Sequence, residues 1–377
     1  MGFLGLTGFG GGATGLAQAG GEGEFDPRDH FDVTLWTGNG SSPRTITQDG
    51  NFTPDLIWNK ARSHGYHHYV HDSVRGFGSN KELVPSGTYQ EGDTSNHNTP
   101  AHGYVSGAGS GSFTLGAGSS NNLYNNGSGE TYVAWTWNAG GSTVSNTDGS
   151  ITSSVRANPT AGFSIVSYTG SGSNATVGHG LETAPAMVIL KGRNFADNWR
   201  IYHKDLHATE PEDYYIMLES SNGRSGDQNT SFMNSTQPTS TVFSLGTDSA
   251  INGSNRTMIA YCWSELEGYS KFGLYEGNGS ADGTFVWCGF KPRLVILKNI
   301  DNSARWFMYD SARDEYNEGN KALYPDRSDP ESTTYPIDFL SNGFKLRYAD
   351  SGGYSNYAST YTFAAWAETP FKYSNAR

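Results

Sequence analysis

Apolar residues along this chain come in short runs, separated by stretches of Gly, Ser, Asn and Asp. Phe163-Ser164-Ile165-Val166-Ser167-Tyr168 and Asn198-Trp199-Arg200-Ile201-Tyr202-His203 alternate with period two, as half-buried strands do. Residues 187–191 are instead a continuous apolar run ending in Lys191, expected at the centre of a sheet. Tyr214-Tyr215-Ile216-Met217-Leu218 and Val242-Phe243-Ser244-Leu245 follow as further strands. Each run is bounded by turn formers, and no long stretch carries a helical period. The pattern predicts an all-β chain of antiparallel, jelly-roll-like sandwiches.

The strands repeat. Pro185-Ala186-Met187-Val188-Ile189-Leu190-Lys191 and Pro292-Arg293-Leu294-Val295-Ile296-Leu297-Lys298 are near copies, and Pro54-Asp55-Leu56-Ile57-Trp58-Asn59-Lys60 is a weaker one. Each Pro opens its strand, where a missing N–H is tolerated. An aromatic-Thr/Glu-Gly turn precedes each copy, starting at Trp36, Tyr168 and Tyr275. At one spacing after the lysine come His68, Trp199 and Trp306; at a second come Asp72, His203 and Asp310. A Phe-x-Leu strand follows at Phe113, Phe243 and Phe344. Each copy closes on a buried-looking strand, read as starting at Thr131, Thr257 and Tyr361. Five landmarks in one order define a module used three times.

The repeat divides the 377 residues into a Gly-rich arm at 1–30, module one at 31–140, a Gly/Ser/Asn linker at 141–161, module two at 162–268 and module three at 269–377. The short connection between Trp263 and Phe272 predicts that modules two and three are held rigidly, with module one freer. In the arm, Phe3, Leu4, Leu6 and Phe9 are too few to form a core. They are expected either in a flexible tail or, the reading adopted here, in a docking arm that orders against another protein.

Composition fits this reading. The chain holds 49 Gly and 22 Tyr with only 16% charged residues, the profile of short strands joined by many turns. A net charge of −12 opposes a phosphate backbone, so no nucleic-acid partner is expected. No apolar run reaches the length of a membrane-spanning helix, so no membrane insertion is expected. The opening Met1-Gly2-Phe3-Leu4-Gly5-Leu6 lacks the basic start of a secretory signal and the Ser or Thr of a myristoylation site. Cys262 and Cys288 are expected as buried thiols, with one bridge between adjoining modules as the alternative.

Candidate chemistry is sparse. His64, His67, His68 and His71 have metal-ligand spacing on a helix, but they fall on strands, and the repeat puts His68 where Trp199 and Trp306 stand. Asp72-Ser73-Val74-Arg75 and Asp310-Ser311-Ala312-Arg313 pair a carboxylate with a hydroxyl, yet a turn held by the Asp side chain and an Asp–Arg pair explains them better. No catalytic residue, metal or cofactor is expected. Loop tyrosines beside Asn, Asp and Ser are candidate glycan contacts: Tyr89, Tyr104, Tyr124, Tyr354 and Tyr357. The alternative for them is local packing or a subunit contact.

Several stretches together resemble a known but uncharacterised repeat domain. These are Phe52-Thr53-Pro54-Asp55-Leu56-Ile57-Trp58, Asp72-Ser73-Val74-Arg75-Gly76, Gly178-His179-Gly180-Leu181, Trp199-Arg200-Ile201-Tyr202-His203, Phe339-Leu340-Ser341-Asn342-Gly343-Phe344-Lys345-Leu346 and the ending Pro370-Phe371-Lys372-Tyr373-Ser374-Asn375-Ala376-Arg377. The domain occurs in virion structural proteins of tailed phages, especially those of marine bacteria and cyanobacteria. The resemblance implies a virion location, with a tail- or fibre-associated, non-enzymatic role, and transfers no catalytic residues. Expected partners are other virion proteins, met through the arm, and further copies in a homo-oligomer, a trimer being favoured. Host-surface glycan is the partner under the alternative reading, a receptor-recognition protein.

Overall fold

The computed structural model describes residues 25–368 apart from 96, 227 and 228. Module one contributes β1 (Phe31–Thr37), β2 (Arg44–Thr47), β3 (Leu56–Ala61), β4 (Tyr69–Asp72), β5 (Tyr104–Gly109), β6 (Ser112–Gly116) and β7 (Thr131–Trp137). Module two has β8 (Val144–Asn146), β9 (Ser153–Asn158), β10 (Phe163–Thr169), β11 (Ala175–Gly178), β12 (Met187–Gly192), β13 (Arg200–His203), β14 (Ile216–Met217), β15 (Val242–Leu245) and β16 (Thr257–Trp263). Module three has β17 (Ser270–Glu276), β18 (Phe285–Trp287), β19 (Pro292–Asn299), β20 (Phe307–Asp310), β21 (Ile337–Leu340), β22 (Gly343–Leu346) and β23 (Thr360–Ala367). The described α-helices are single turns, at Thr99–His102 and Ser249–Asn252.

Each module is a sandwich of two antiparallel sheets, and the sheets correspond. The main sheets run β1-β7-β3-β4, β10-β16-β12-β13 and β17-β23-β19-β20; the smaller ones run β2-β6-β5, β11-β15 and β18-β22-β21. The apolar strand that opens at each repeated proline lies beside the closing strand in all three. Between its sheets each module has its own core, such as Ile57, Val105 and Phe113 in module one or Val295, Ile337 and Phe344 in module three.

The outer faces of the main sheets meet in a fourth core that belongs to no single module. Its centre is Trp137, Trp263 and Trp366, the equivalent residues near the ends of β7, β16 and β23. Their rings pack edge to face at 5.8, 5.5 and 5.9 Å between centroids, each touching both others. Phe31, Phe163 and Phe272 wedge beside them. Large buried aromatics in this geometry carry both area burial and a preferred quadrupole alignment.

Around this centre the modules close a ring, because a loop of each lies on the next. The Thr88 carbonyl accepts from Asp197 N–H and the Ser221 carbonyl from Ala304 N–H, both at about 2.9 Å or less. Further along the same loops, Glu91 N–H donates to Arg193 O, Arg224 N–H to Ile300 O and Glu331 N–H to Arg62 O. These are one contact made three times: module one on two, two on three, three on one. A heterologous contact that closes after three steps leaves no surface unused.

Two expectations change. Residues 141–161 are not a linker between independent bodies: β8 and β9 extend the main sheet of module two, and Val155 is buried in its core. The Ser/Thr-rich composition masked an alternation in which Ser153, Val155 and Ala157 face inward. The hairpin also contacts module one directly, where Arg156 on β9 pairs with Asp55 at 2.9 Å. The closing strand of module three also aligns one residue earlier than expected: Thr360, not Tyr361, matches Thr131 and Thr257.

A shared core predicts shared unfolding. Trp263→Ala should destabilise the whole chain by about 3–5 kcal/mol, and calorimetry should show one transition, moved down, for wild type and variant alike. Separate transitions, with two unaffected by the substitution, would show three independent modules.

Candidate functional site

The repeated polar residues lie inside the ring. Asp72 accepts from the backbone N–H of Val74 and Arg75 and pairs with the Arg75 guanidinium at 2.5 Å; Asp310 pairs with Arg313 at 2.6 Å. Both carboxylates also reach across a module boundary. Tyr261 donates its hydroxyl to Asp72 at 2.7 Å, and Trp135 donates its indole N–H to Asp310 at 3.0 Å. At the third boundary the equivalent residue is His203, whose Nε2 donates to the Phe363 carbonyl at 3.3 Å while Nδ1 accepts from Asp205 N–H. The expected Asp–Arg turn is present, and its second task is to join neighbours. These carboxylates are buried and fully used, which leaves none free to move a proton.

The three strand lysines are buried as well. Lys191 donates to the carbonyls of Thr88 and Asp197, and Lys298 to those of Ser221 and Ala304, so each bridges its own module to the loop of the preceding one. Lys60 bonds Ala61 and His64 within module one and faces Asp329 and Glu331 of module three. Burial lowers Lys60 to about 7 and Lys191 and Lys298 to about 8. The position just before the next strand holds Trp199, bonded to the Val84 and Gly87 carbonyls, and Trp306, bonded to the Met217 carbonyl. His68 takes this place in module one, accepting from the Trp58 indole at 2.9 Å and facing the Tyr324 backbone. Among the described residues no group of three or more His, Cys, Asp or Glu is placed to hold a metal ion.

The expected glycan tyrosines do not converge. Tyr89 packs on His97 at 4.5 Å, and Tyr124 stacks on Tyr69 at 5.0 Å and touches His102 and Tyr66; the two share one aromatic cluster through Tyr69 and His97. Tyr104 lies over Gly116. On module three, Tyr354 packs on Tyr335 and beneath Arg305, and Tyr357 is exposed. The residues assigned to docking, Phe3, Leu4, Leu6 and Phe9, lie outside the described residues. Cys262 and Cys288 are unpaired, and burial pushes both thiols up to about 12, so neither is a ready nucleophile.

A surface that the sequence reading passed over lies on module three. On the first strand of each smaller sheet one residue points inward: Ile46, Val177 and Val286, opposite Phe113, Phe243 and Phe344. The flanking residues point outward. They are Thr45 and Thr47 in module one and the half-buried Thr176 in module two, where Gly178 on its other side is itself buried, but Phe285 and Trp287 in module three, where they are 43% and 59% exposed. Leu274 on β17 is also 43% exposed. Between β17 and β18 runs a groove of about 520 Å³ that continues past Trp287 into a second hollow of about 710 Å³ near Gly268 and Cys288. At their shared edge Lys271 pairs with Glu265 at 2.5 Å and lies 6.0 Å from the Trp287 ring centre. Burial works against the Glu265 carboxylate, but the Lys271 hydrogen bond and the Lys204 charge hold it below its ordinary value. The alternation of Phe285 and Trp287, read against the other copies, was the signal available for this surface.

The chain belongs to a family described as a domain of unknown function, DUF7483, whose model matches residues 26–370. No curated protein matches the chain.

The neutral form of His203 is the one its contacts need, and burial lowers it to about 4, below the ordinary value of 6.5. The unfolded chain therefore takes up a proton near pH 6.5 that the folded chain refuses until about pH 4. The stability tied to this group is present above pH 6.5 and drains as pH falls through that window, by up to about 1.4 kcal/mol per unit. His203→Gln keeps the bond to Phe363 without titrating, so the variant should gain on wild type steadily between pH 6.5 and 4 in denaturant titrations. Parallel stability curves would exclude this role.

Proposed function

We propose that this DUF7483 chain is a non-enzymatic structural protein of a phage virion, tail- or fibre-associated, whose three-lobed body serves as spacer and display element and whose arm carries the docking residues Phe3, Leu4, Leu6 and Phe9. The observation that carries the reading is where the reactive side chains are spent. The repeated Asp, His, Arg and Lys residues are buried, and Asp72, His203, Asp310, Lys191 and Lys298 each bond a neighbouring module, whereas an active site aims such groups into a cleft. The resemblance of the repeated landmarks to phage structural proteins supplies the virion context. One chain already presents three lobes about a centre, so a single copy can face a threefold attachment point; further copies in a homo-oligomer remain part of the proposal. The alternative, host-glycan recognition through the loop tyrosines, has less support, because Tyr89, Tyr124 and Tyr354 are packed on their neighbours.

Gradient-purified particles should contain the chain by mass spectrometry, and antibodies to the body should mark the tail or its fibres by electron microscopy. A chain carrying Phe3→Ser, Leu4→Ser, Leu6→Ser and Phe9→Ser should fold with an unchanged melting transition yet be depleted from particles at least tenfold. Particles free of the wild-type chain would overturn the virion reading; normal incorporation of the four-serine chain would overturn the docking role.

A further inference from the structure

In module two, the gap between the first strand of the main sheet and the first strand of the smaller sheet is filled. The chain just before β10 turns back and lies along it as β9, pairing antiparallel from Phe163↔Asn158 to Ser167↔Ser154. The same segment reaches β11: Ile151 N–H donates to the Thr176 carbonyl, and the Ser153 hydroxyl to the Gly178 carbonyl. Val155 is thereby buried between the sheets. In modules one and three the equivalent gaps, β1 to β2 and β17 to β18, are grooves of about 490 and 520 Å³. Among the described residues no strand pairs with the outer edge of β1 or β17. Module three has no preceding segment free to fold back, because β16 passes to β17 through residues 264–269 alone.

Hydrogen bonds at both ends of β17 fix which of its backbone groups face the groove. Phe272 N–H donates to the Glu265 carboxylate at 3.2 Å, away from β23, whereas Gly277 N–H donates to the Ser359 carbonyl, toward it. By the alternation of an antiparallel ladder, the N–H groups of Leu274 and Glu276 face the groove as that of Phe272 does. The two ends of this edge are covered. Ser270 N–H donates to the Leu266 carbonyl, and the Thr284 hydroxyl donates to the Glu276 carbonyl at 2.5 Å. What stays open is the middle, from Phe272 to Glu276. The residues of module two level with Phe272 and Leu274 are Ile165 and Ser167, and β9 pairs with both.

The floor of the groove is apolar. Gly273 stands where module two has Val166, and the Phe363 ring lies over it, 2.8 Å from where a Cβ would be. Val286 faces it from β18, and Leu274, Phe285 and Trp287 are exposed rims. The charged lining is balanced and already paired: Lys204 with Asp205 and Lys271 with Glu265, leaving Glu276 at the far end. Such a lining selects an uncharged occupant. With β18 on one side and Lys204 and Asp205 of module two on the other, the groove admits a lone strand rather than the edge of a second sheet. We propose that it binds an extended segment of another protein, which adds to β17 as β9 adds to β10. The side chain level with Gly273 enters between the sheets, as Val155 does in module two, and the preceding one, level with Leu274, lies against Leu274. The segment therefore carries two adjacent apolar residues. The inference does not rest on the virion reading; under that reading the segment belongs to another particle protein.

A synthetic peptide with the sequence of residues 150–159 and Ser154→Leu tests the groove, since it keeps the register of β9 and adds the second apolar residue. In the full chain alone, the Leu274 and Glu276 amides should exchange fast with solvent hydrogen. Peptide at up to about 1 mM, the weak end of specific binding, should slow them at least tenfold and leave the equivalent Leu35 and Thr37 amides of module one unchanged. The same peptide with Val155→Asp should slow none of them. A full chain with Leu274→Lys and Phe285→Lys, both at exposed positions, should melt as wild type does and lose the protection, because charged side chains block strand addition. Absence of slowing by the Ser154→Leu peptide overturns the proposal. So does equal slowing at Leu35 and Thr37, or protection that the two lysines or the Val155→Asp peptide leave intact. Slow exchange in the chain alone would mean that the groove is filled by this chain itself, or, where dilution abolishes it, by a second copy; either result overturns an external partner.

Discussion

Three tryptophans that meet at one point set the terms for everything else in this protein. A main sheet that is apolar on both faces cannot be covered by its own smaller sheet alone. Its second face must find another surface, and in this chain that surface is the same face of two more copies. Trp137, Trp263 and Trp366 occupy one register position on three strands, so bringing them together brings the three sheets into one arrangement. Repeats that cannot bury their faces alone and stack in an open line need capping units at their ends. Closing the series after three removes the ends.

Closure has an electrostatic counterpart. Burying a lysine is unfavourable unless its protons find acceptors, yet each module buries one at the same place. Main-chain carbonyls supply those acceptors. Two of the three ammonium groups take one carbonyl from the strand connection beside them and one from the loop of a neighbouring module. Such a group is satisfied only when the neighbour is in place, so it favours the closed ring over an isolated module. The Asp–Arg pairs add the same dependence through Tyr261 and Trp135. Buried polar contacts of this kind set which surfaces meet more than they add to stability.

The repeat itself, the β class and the prolines at strand starts were legible because they rest on local pattern. So was the structural role of His68, which copy-to-copy comparison set beside Trp199 and Trp306. What escaped was how the copies meet. Reading the last closing strand one residue late placed Trp366 out of line with Trp137 and Trp263, and with that the central triad was invisible. The hairpin at 144–158 escaped for another reason. Ser, Thr and Asn dominate it, and only Val155 and Ala157 mark its inner face, a weak signal against a polar background. The loop tyrosines were selected for being aromatic among polar residues; the structure uses most of them to pack loops and leaves Tyr357 exposed, and it also exposes Phe285 and Trp287, which sit in a regular strand.

The copies are alike where they meet and unlike where they do not. At the centre each keeps its tryptophan, its buried lysine and its ring bonded across the boundary. At the slot beside the first strand each has a different solution: charged walls in module one, a strand of its own in module two, apolar rims in module three. Each slot also borders a neighbouring module: Arg156 on β9 pairs with Asp55 of module one, Glu315 and Glu368 of module three line the slot of module one, and Lys204 and Asp205 of module two line that of module three. Duplicated modules can still take up separate tasks at the slots while the centre that holds them is kept. The module with the most exposed aromatic surface is also the one whose first strand begins beside Phe25, which packs on Tyr269. In a chain with three slots of one origin, that position distinguishes the third from the other two.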